Sequence, residues 1–191
     1  MKIKKFMALC AVALGIGAIA SCSGKEAQAE EQQVAQATIT VDSLMMCAPG
    51  MVGDTVTVSG AVSHLCSHGA TKAFILSTDS TQMLRCQATP EMGGAFSPEC
   101  MEHVIVVRGI VRENRIDEDA IKAMEERYAV QSGNADNGCA TERSAEGQDS
   151  TVVTFADRMA DYRTRIAAQV ADGGNPYLSF YYLETVAYDI Q

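Results

Sequence analysis

The chain has 191 residues, 47% of them hydrophobic and 20% charged, which is enough apolar material for the core of one ordinary domain. It carries 15 Lys and Arg against 24 Asp and Glu, a net charge of −9. Nucleic-acid binders need a basic face to displace phosphate counterions, so we expect no nucleic-acid partner. Apart from the N-terminus, no apolar run is long enough to span a membrane.

The first 21 residues predict an export signal rather than a transmembrane helix. Three lysines within the first five residues precede an apolar run over residues 6–20, which is shorter than the ~20 residues of a spanning helix. At its end, residues 19–22 (IASC) resemble the bacterial lipobox. The resemblance implies that residues 1–21 are removed and that the thiol of Cys22 carries a diacylglycerol.

Residues 22–39 predict a flexible tether that joins the membrane to a folded domain at residues 40–191. The tether is rich in Ser, Gly, Gln, Glu and Ala and has no apolar periodicity. Removal of the leader leaves 12 basic and 24 acidic residues, a net charge of −12. Because Ser23, not Asp, follows Cys22, the lipobox resemblance implies a lipid-anchored protein of the outer membrane that faces the periplasm.

Alternation of apolar and polar residues predicts four strands in the first half of the domain. They cover residues 54–65, 72–77, 81–87 and 103–113. Gly60 in the first strand and Gly109 in the fourth indicate bulges or sharp bends. Before the strands, residues 40–52 contain an N-cap candidate, Asp42 or Ser43, and a short apolar run that Pro49 ends.

Two amphipathic helices are predicted after the fourth strand. Residues 117–130 place Ile121, Met124 and Tyr128 on one face, and residues 152–171 do the same with Phe155, Met159, Tyr162, Ile166 and Val170. The polar segment 131–150 between them predicts a loop. Residues 177–190, which are aromatic and β-branched, predict a final strand or a bent pair of strands.

This order of elements predicts an α+β fold that is mainly β. We expect a small OB-fold-like barrel of five strands, with two helices inserted between strands four and five at about residues 117–172. The glycines inside strands one and four suit the sharp coiling of a small closed barrel. The alternative is another small β-barrel or sandwich with appended helices.

The stretch VGDTVTVSGAVSHLCSHGATKAFIL and the later VIVVRGIVRE also resemble OB-fold lipoproteins and periplasmic proteins of the Bacteroidetes group. In those proteins a V-x-G-x-V strand leads into a Cys/His/Gly/Lys loop. The resemblance covers roughly residues 50–115 and implies the OB fold. Residues 70–71 (AT) depart from the glycine-rich form of that loop.

A metal site is one hypothesis for the end of the first strand. His64, Cys66 and His68 are spaced by two, so they share one face of a strand or crowd one loop. Imidazole and thiolate are suitable ligands for zinc, copper or haem iron, and OB-folds commonly bind ligands at this loop. The alternative is that the histidines pack or turn the chain and that Cys66 is a buried thiol or half of a disulfide. Otherwise we expect no cofactor.

Five cysteines follow Cys22 in the mature chain: Cys47, Cys66, Cys86, Cys100 and Cys139. An odd number leaves at least one thiol free or paired outside the chain, while an oxidising compartment permits disulfides. Cys86 and Cys100 could meet across one bend, and Cys139 could reach Cys47, Cys66 or Cys100. No C-x-x-C spacing supports a thioredoxin-like site.

The main basic residues near the strands are Lys72, Arg108, Arg112 and Arg115. They could bind an anionic ligand, or they could be solvated and paired with Glu113 or Asp117.

No G-x-S-x-G, H-E-x-x-H or P-loop motif is present, and we do not expect an enzyme. The first functional hypothesis is a membrane-anchored periplasmic module that binds a ligand or an envelope protein. The alternatives are a metal- or haem-handling protein and a structural envelope component stapled by disulfides.

Overall fold

The computed structural model describes residues 37–130 and 139–191, so the predicted leader, Cys22 and most of the predicted tether lie outside the described residues. The strands are β1 (Thr38–Thr40), β2 (Thr55–Leu65), β3 (Lys72–Leu76), β4 (Met83–Ala88), β5 (Val104–Ile116) and β6 (Leu178–Ile190). The helices are α1 (Val41–Cys47), α2 (Glu118–Val130), α3 (Ala140–Ala145) and α4 (Phe155–Ala171). No helix in the described ranges is both long and apolar enough to cross a bilayer.

The sheet closes on itself as a five-stranded barrel in the order β2, β3, β4, β6, β5 and back to β2. All neighbours are antiparallel except β4 and β6, which are parallel. This connectivity confirms the predicted OB-like α+β fold, with the helical insertion between β5 and β6. β1 pairs in parallel with β2 outside the ring, so the last two residues of the predicted tether belong to the sheet.

β2 serves both halves of the barrel by changing partners along its length. Residues 55–61 pair with β5, and residues 61–65 pair with β3. Gly60 lies at this change, where a Cβ atom would be 3.0 Å from the carbonyl oxygen of Leu76. The predicted bend at Gly60 is therefore present, although the register shift falls slightly later, between Val62 and His64.

The predicted irregularity at Gly109 is confirmed. The register of β5 against β6 shifts between Arg108 and Gly109, so one strand gains a residue at this point. A Cβ atom at Gly109 would lie 2.8 Å from the carbonyl oxygen of Glu184. This contact is too short for any residue that has a Cβ atom, so the position requires glycine.

The barrel interior is the main hydrophobic core. It is filled from alternate positions of the strands, and α1 covers it with Val41 and Leu44. The predicted caps of this helix, Asp42 and Ser43, are wrong: the N-cap is Thr40, whose Oγ1 accepts a hydrogen bond from the Ser43 amide at 3.2 Å. The carboxylate of Asp42 instead accepts from the amide and hydroxyl of Thr78 at 2.9 Å.

A second, smaller core joins α2 and α4 to the ends of β5 and β6. Its buried members are Ile116, Ile121, Met159, Tyr162 and Leu178. The predicted helix faces are correct except for Val170, which is exposed. α4 begins at Phe155, not at residue 152, because Thr154 and Asp157 form a reciprocal capping box.

The segment predicted as one polar loop contains a helix, and this is the main correction to the predicted elements. α3 follows Cys139, whose Sγ accepts a hydrogen bond from the Glu142 amide at 3.3 Å and so caps the first turn. The helix has only six residues and lacks an apolar stripe, so periodicity does not indicate it. The described residues of the insertion therefore contain three helices rather than two.

Candidate functional site

α3 lies against the outer face of β3 and β4. Together with the adjoining end of β2, this face forms the candidate site, which we call the capped face (His64, Cys66, Lys72, Phe74 and Arg85). Residues 73, 75, 84 and 86 point into the barrel core, so their neighbours in β3 and β4 point outward. Phe74 is fully buried although it lies outside the barrel core, because the insertion covers it.

The strand register arranges these side chains in two rows. One row runs from His64 through Phe74 and Arg85 to Tyr182. The Arg85 guanidinium lies 4.3 Å from the centre of the Tyr182 ring, a cation–π contact. In the next row, the Cys66 amide donates to the Lys72 carbonyl at 2.9 Å, which continues the β2–β3 pairing by one residue.

Glu142 of α3 joins the two cations of the capped face. Its carboxylate oxygens lie 2.7 and 2.9 Å from Lys72 Nζ, and Arg85 Nη1 donates to Oε1 at 2.9 Å. The Glu142 side chain is 9% exposed, against 25% for Lys72 and 18% for Arg85. Burial raises the pKa of Glu142, but hydrogen bonds and charges from Lys72 and Arg85 outweigh it, so the pKa lies below its ordinary value.

A second buried carboxylate ties the end of α3 to α4. Glu146 accepts from the Arg158 guanidinium at 2.9 Å and from the Tyr162 hydroxyl at 2.5 Å, and Arg158 Nε donates to the same hydroxyl. Burial and the charge of Glu146 raise the pKa of Tyr162, so the hydroxyl remains a donor at neutral pH. α3 is therefore attached to the barrel through Glu142 and to the helical layer through Glu146.

A small cavity of about 70 Å³ remains between α3 and the barrel. Ligand sites usually measure some 300–1,000 Å³, so a ligand of ordinary size fits here only if α3 moves. Besides the two glutamates of α3, its wall contains apolar and aromatic side chains: Met45, Phe74, Met83, Phe180 and Tyr181. The site thus combines two cations with an apolar floor.

The three predicted metal ligands do not come together as a metal centre. The His64 ring packs at a tilt on Phe74, with ring centres 5.9 Å apart, and Cys66 is buried at the end of β2, whereas His68 is exposed in the following turn. Within residues 37–130 and 139–191, no three His, Cys, Asp or Glu side chains form a group that could hold a metal ion. The metal or haem hypothesis gains no support from this geometry.

The five predicted disulfide cysteines carry free thiols in the structure. Cys47 is exposed, Cys139 is partly buried, and Cys66, Cys86 and Cys100 are buried. Burial raises the pKa of Cys86, which points into the barrel core, to about 12, so this thiol is inert.

The other predicted basic residues, Arg108, Arg112 and Arg115, lie on β5. Arg112 pairs with Glu184, and Arg115 pairs with Glu113 at 3.0 Å. The Arg112–Glu184 pair is half-exposed, whereas Arg115 is exposed and its partner Glu113 is mostly buried. The pairing of Arg115 with Glu113 is the one that the solvated alternative predicts.

Sequence reasoning missed Arg85 and Glu142, the two residues that complete the site. Arg85 was visible only as the outward residue between Leu84 and Cys86 in a predicted strand. For Glu142, the available signal was the spacing of Cys139 and Glu142, which matches a capping box with cysteine in place of serine or threonine.

The fold and the site together define an OB-like barrel whose outer face is covered by an insertion of its own chain. No family model matches this chain, and no curated protein matches it. The chain is similar to a solved structure from Leishmania major Friedlin, a protein assigned as an aspartyl-tRNA synthetase, with 18% identity and a TM-score of 0.29. The similarity covers 48% of this chain and 19% of that one, and at this level it carries no argument about function.

Proposed function

We propose that this protein is a lipid-anchored binding module of the bacterial cell envelope, which holds an acidic segment of a partner protein on the capped face. The observation that carries the proposal is the position of the Glu142 carboxylate between Lys72 and Arg85. OB-folds bind their ligands on the face of the second and third barrel strands, and β3 and β4 are those strands here. The protein's own α3 thus occupies the position of a ligand.

Because α3 occupies the capped face, its residues indicate the chemistry of the partner. α3 brings Glu142 and Glu146 to the site, four residues apart and on one side of the chain, with Ala145 against the apolar cavity. A partner that replaces it needs a carboxylate for Lys72 and Arg85 and a small apolar surface beside it. A short acidic helix of another envelope protein has both properties.

Displacement of α3 is physically reasonable because its attachment to the barrel is mainly polar. The helix has six residues, of which Glu142 and Ala145 line the cavity, and Glu146 follows at its C-cap. Segments with few buried apolar contacts open at low cost in free energy. An acidic partner would exchange one carboxylate for another, so the two cations would keep their charge pairing.

The predicted N-terminus supports a place in the envelope. The lipobox-like residues 19–22 and the predicted tether would hold the barrel at the periplasmic side of the outer membrane, within reach of other envelope proteins. A net charge of −12 after removal of the leader argues against nucleic acid as the partner. We propose no enzymatic activity.

The test is a peptide competition with the full-length chain in detergent. A fluorescent peptide with the sequence of residues 140–148 is titrated into the wild type and into Glu142→Arg, in which repulsion from Lys72 and Arg85 releases α3. We expect the variant to bind the peptide at least about tenfold more tightly, because its site is not occupied by α3.

Two controls make this result specific. A peptide with Gln in place of Glu142, and the double variant Glu142→Arg with Arg85→Ala, should both lose the added binding. Equal binding by wild type and Glu142→Arg, or binding that does not depend on Arg85, would show that the capped face is not an acidic-peptide site.

A further inference from the structure

We propose that Cys66 and Cys139 form a disulfide that fixes α3 on the capped face. The proposal goes beyond the binding function, because the bond joins two residues of this chain and requires no partner. It also selects one connectivity among those that the cysteine count leaves open.

Each cysteine is a neighbour of one member of the Lys72–Glu142 ion pair. Cys66 is the cross-strand neighbour of Lys72, and its amide donates to the Lys72 carbonyl. Side chains of such neighbours point to the same face, with Cβ atoms about 5 Å apart. At the other member of the ion pair, Cys139 lies one helical turn before Glu142, and its sulfur accepts a hydrogen bond from the Glu142 amide at 3.3 Å. Because Lys72 Nζ contacts both Glu142 oxygens, the start of α3 is held against Lys72, the cross-strand neighbour of Cys66.

The electrostatics agree with this proximity. Burial is the largest cause that raises the pKa of Cys139, and the Cys66 thiol is among the neighbours that raise it further. The exposed Cys47 is the suitable comparison thiol, because it lies on α1 and outside this arrangement.

The reaction is thiol–disulfide exchange with a small or protein disulfide as the oxidant, glutathione disulfide in the test below. The more accessible Cys139 thiolate attacks one sulfur of glutathione disulfide, forming a mixed disulfide and expelling one glutathione thiolate. The Cys66 thiolate then attacks the Cys139 sulfur and expels the second glutathione thiolate. The protein loses two protons and two electrons, and one glutathione disulfide becomes two thiols.

The bond would make the position of α3 depend on redox conditions. Cys66 belongs to the barrel and Cys139 to the insertion, so the linkage would keep the Glu142 carboxylate on Lys72 and Arg85. In the reduced protein, mainly polar contacts would hold the helix there.

The experiment is disulfide mapping on the purified full-length chain in detergent, equilibrated with an oxidising glutathione buffer under native conditions. Free thiols are alkylated, and the protein is digested with trypsin and Asp-N, which cut between Cys47 and Cys66 at Asp54. Mass spectrometry should find a peptide containing Cys66 linked to one containing Cys139. Its yield should be at least about tenfold higher than in urea, where some 70 residues of unfolded chain separate the two thiols.

Matched variants complete the test. Cys66→Ser and Cys139→Ser should each abolish the linked peptide, and Cys47→Ser should leave it unchanged. In the linked wild type, trypsin should cut after Arg143 in α3 at least about fivefold more slowly than in the reduced protein. Absence of the Cys66–Cys139 peptide, dominant linkage of Cys139 to glutathione or to Cys47, or an unchanged rate of cutting would overturn the proposal.

Discussion

Glu142 is the residue on which the position of α3 most depends, because one carboxylate serves two cations in a nearly dry setting. In Glu142→Gln the size is kept, but the charge is lost and amide hydrogens face Lys72 and Arg85. We expect the free energy of unfolding to fall by about 1–3 kcal/mol, since the two partly buried cations lose their partner. Urea unfolding followed by circular dichroism measures this loss.

Glu184→Gln is the matched control for this prediction, because Glu184 pairs with Arg112 in a much more exposed position. Exposed pairs contribute at most about 1 kcal/mol, so this variant should be nearly as stable as the wild type. Equal losses in the two variants would mean that Glu142 has no special role in holding α3.

The ion-paired Glu142 carboxylate also predicts that the free energy of unfolding depends on pH. The pKa of Glu142 is lowered in the folded protein, so the unfolded chain binds its proton more readily. The contribution of Glu142 is therefore complete above the ordinary glutamate value of about 4.3 and is lost as the pH falls through the lowered folded value.

The measurement is the difference in unfolding free energy between wild type and Glu142→Gln across pH. This difference should be constant from about pH 7 to pH 5 and should shrink below about pH 4. A difference that grows with acid, or that does not change with pH, would contradict the assigned ion pair. Use of the difference cancels the titration of the other carboxylates.

At the residue scale, the sequence indicated individual charged residues better than the ion pairs that they form. Lys72 was recognised as a basic residue near the barrel, and the pairing of Arg115 with Glu113 was among the alternatives considered. The contact of Lys72 with Glu142 joins residues 70 positions apart. Such a contact follows from how the insertion folds back on the barrel, and no local spacing encodes it.

At the scale of elements, the bulge at Gly109 controls how β5 and β6 close the barrel. In Gly109→Ala the new methyl group would meet the Glu184 carbonyl oxygen at 2.8 Å, and backbone atoms on both strands would have to shift. We expect a loss of about 1–3 kcal/mol in the free energy of unfolding.

Gly50→Ala is the control for Gly109→Ala, because nothing lies within 4 Å of the added methyl group. Its effect should stay within about 0.5 kcal/mol in the same urea experiment. A Gly109→Ala variant as stable as Gly50→Ala would show that the strands close the barrel without the contact described here.

Elements with a regular hydrophobic period were predictable from the sequence, and α3 was not. Alternation and internal glycines indicated the barrel strands, and period 3.6 indicated α2 and α4, because each of these elements buries one continuous face. The buried residues of α3 and its C-cap are the two glutamates Glu142 and Glu146, so its stability comes from ion pairs with distant residues. A short helix held in this way resembles a polar loop in sequence.

At the scale of the whole molecule, the insertion determines what the barrel can do. After β5 the chain forms α2, contacts Lys72 and Arg85 through α3, and returns through α4 to β6, which completes the sheet. The chain therefore carries its binding face and an occupant of that face in one unit. The proposed disulfide and the proposed acidic partner have opposite effects on α3: the disulfide would hold it on the capped face, and the partner would displace it.

The proposed membrane anchor is the property of the whole chain that is most directly testable. When the full-length chain is exported in a Gram-negative host, its mass should correspond to loss of residues 1–21 and addition of acyl chains at Cys22. Each buried methylene contributes about 0.8 kcal/mol, so several chains should hold the protein in the detergent phase of a two-phase extraction. Cys22→Ser should remain unacylated and move out of that phase.

Cys47→Ser is the control for this prediction, because it removes an exposed thiol that no anchor requires. It should partition with the detergent like the wild type. Ser23→Asp adds a test of location: if the rule for such lipoproteins applies, this variant should be retained at the inner membrane while the wild type reaches the outer membrane. A wild-type protein that keeps its leader and lacks acyl chains would refute the anchor, and with it the envelope location, but it would leave the acidic-peptide site to be judged by its own titration.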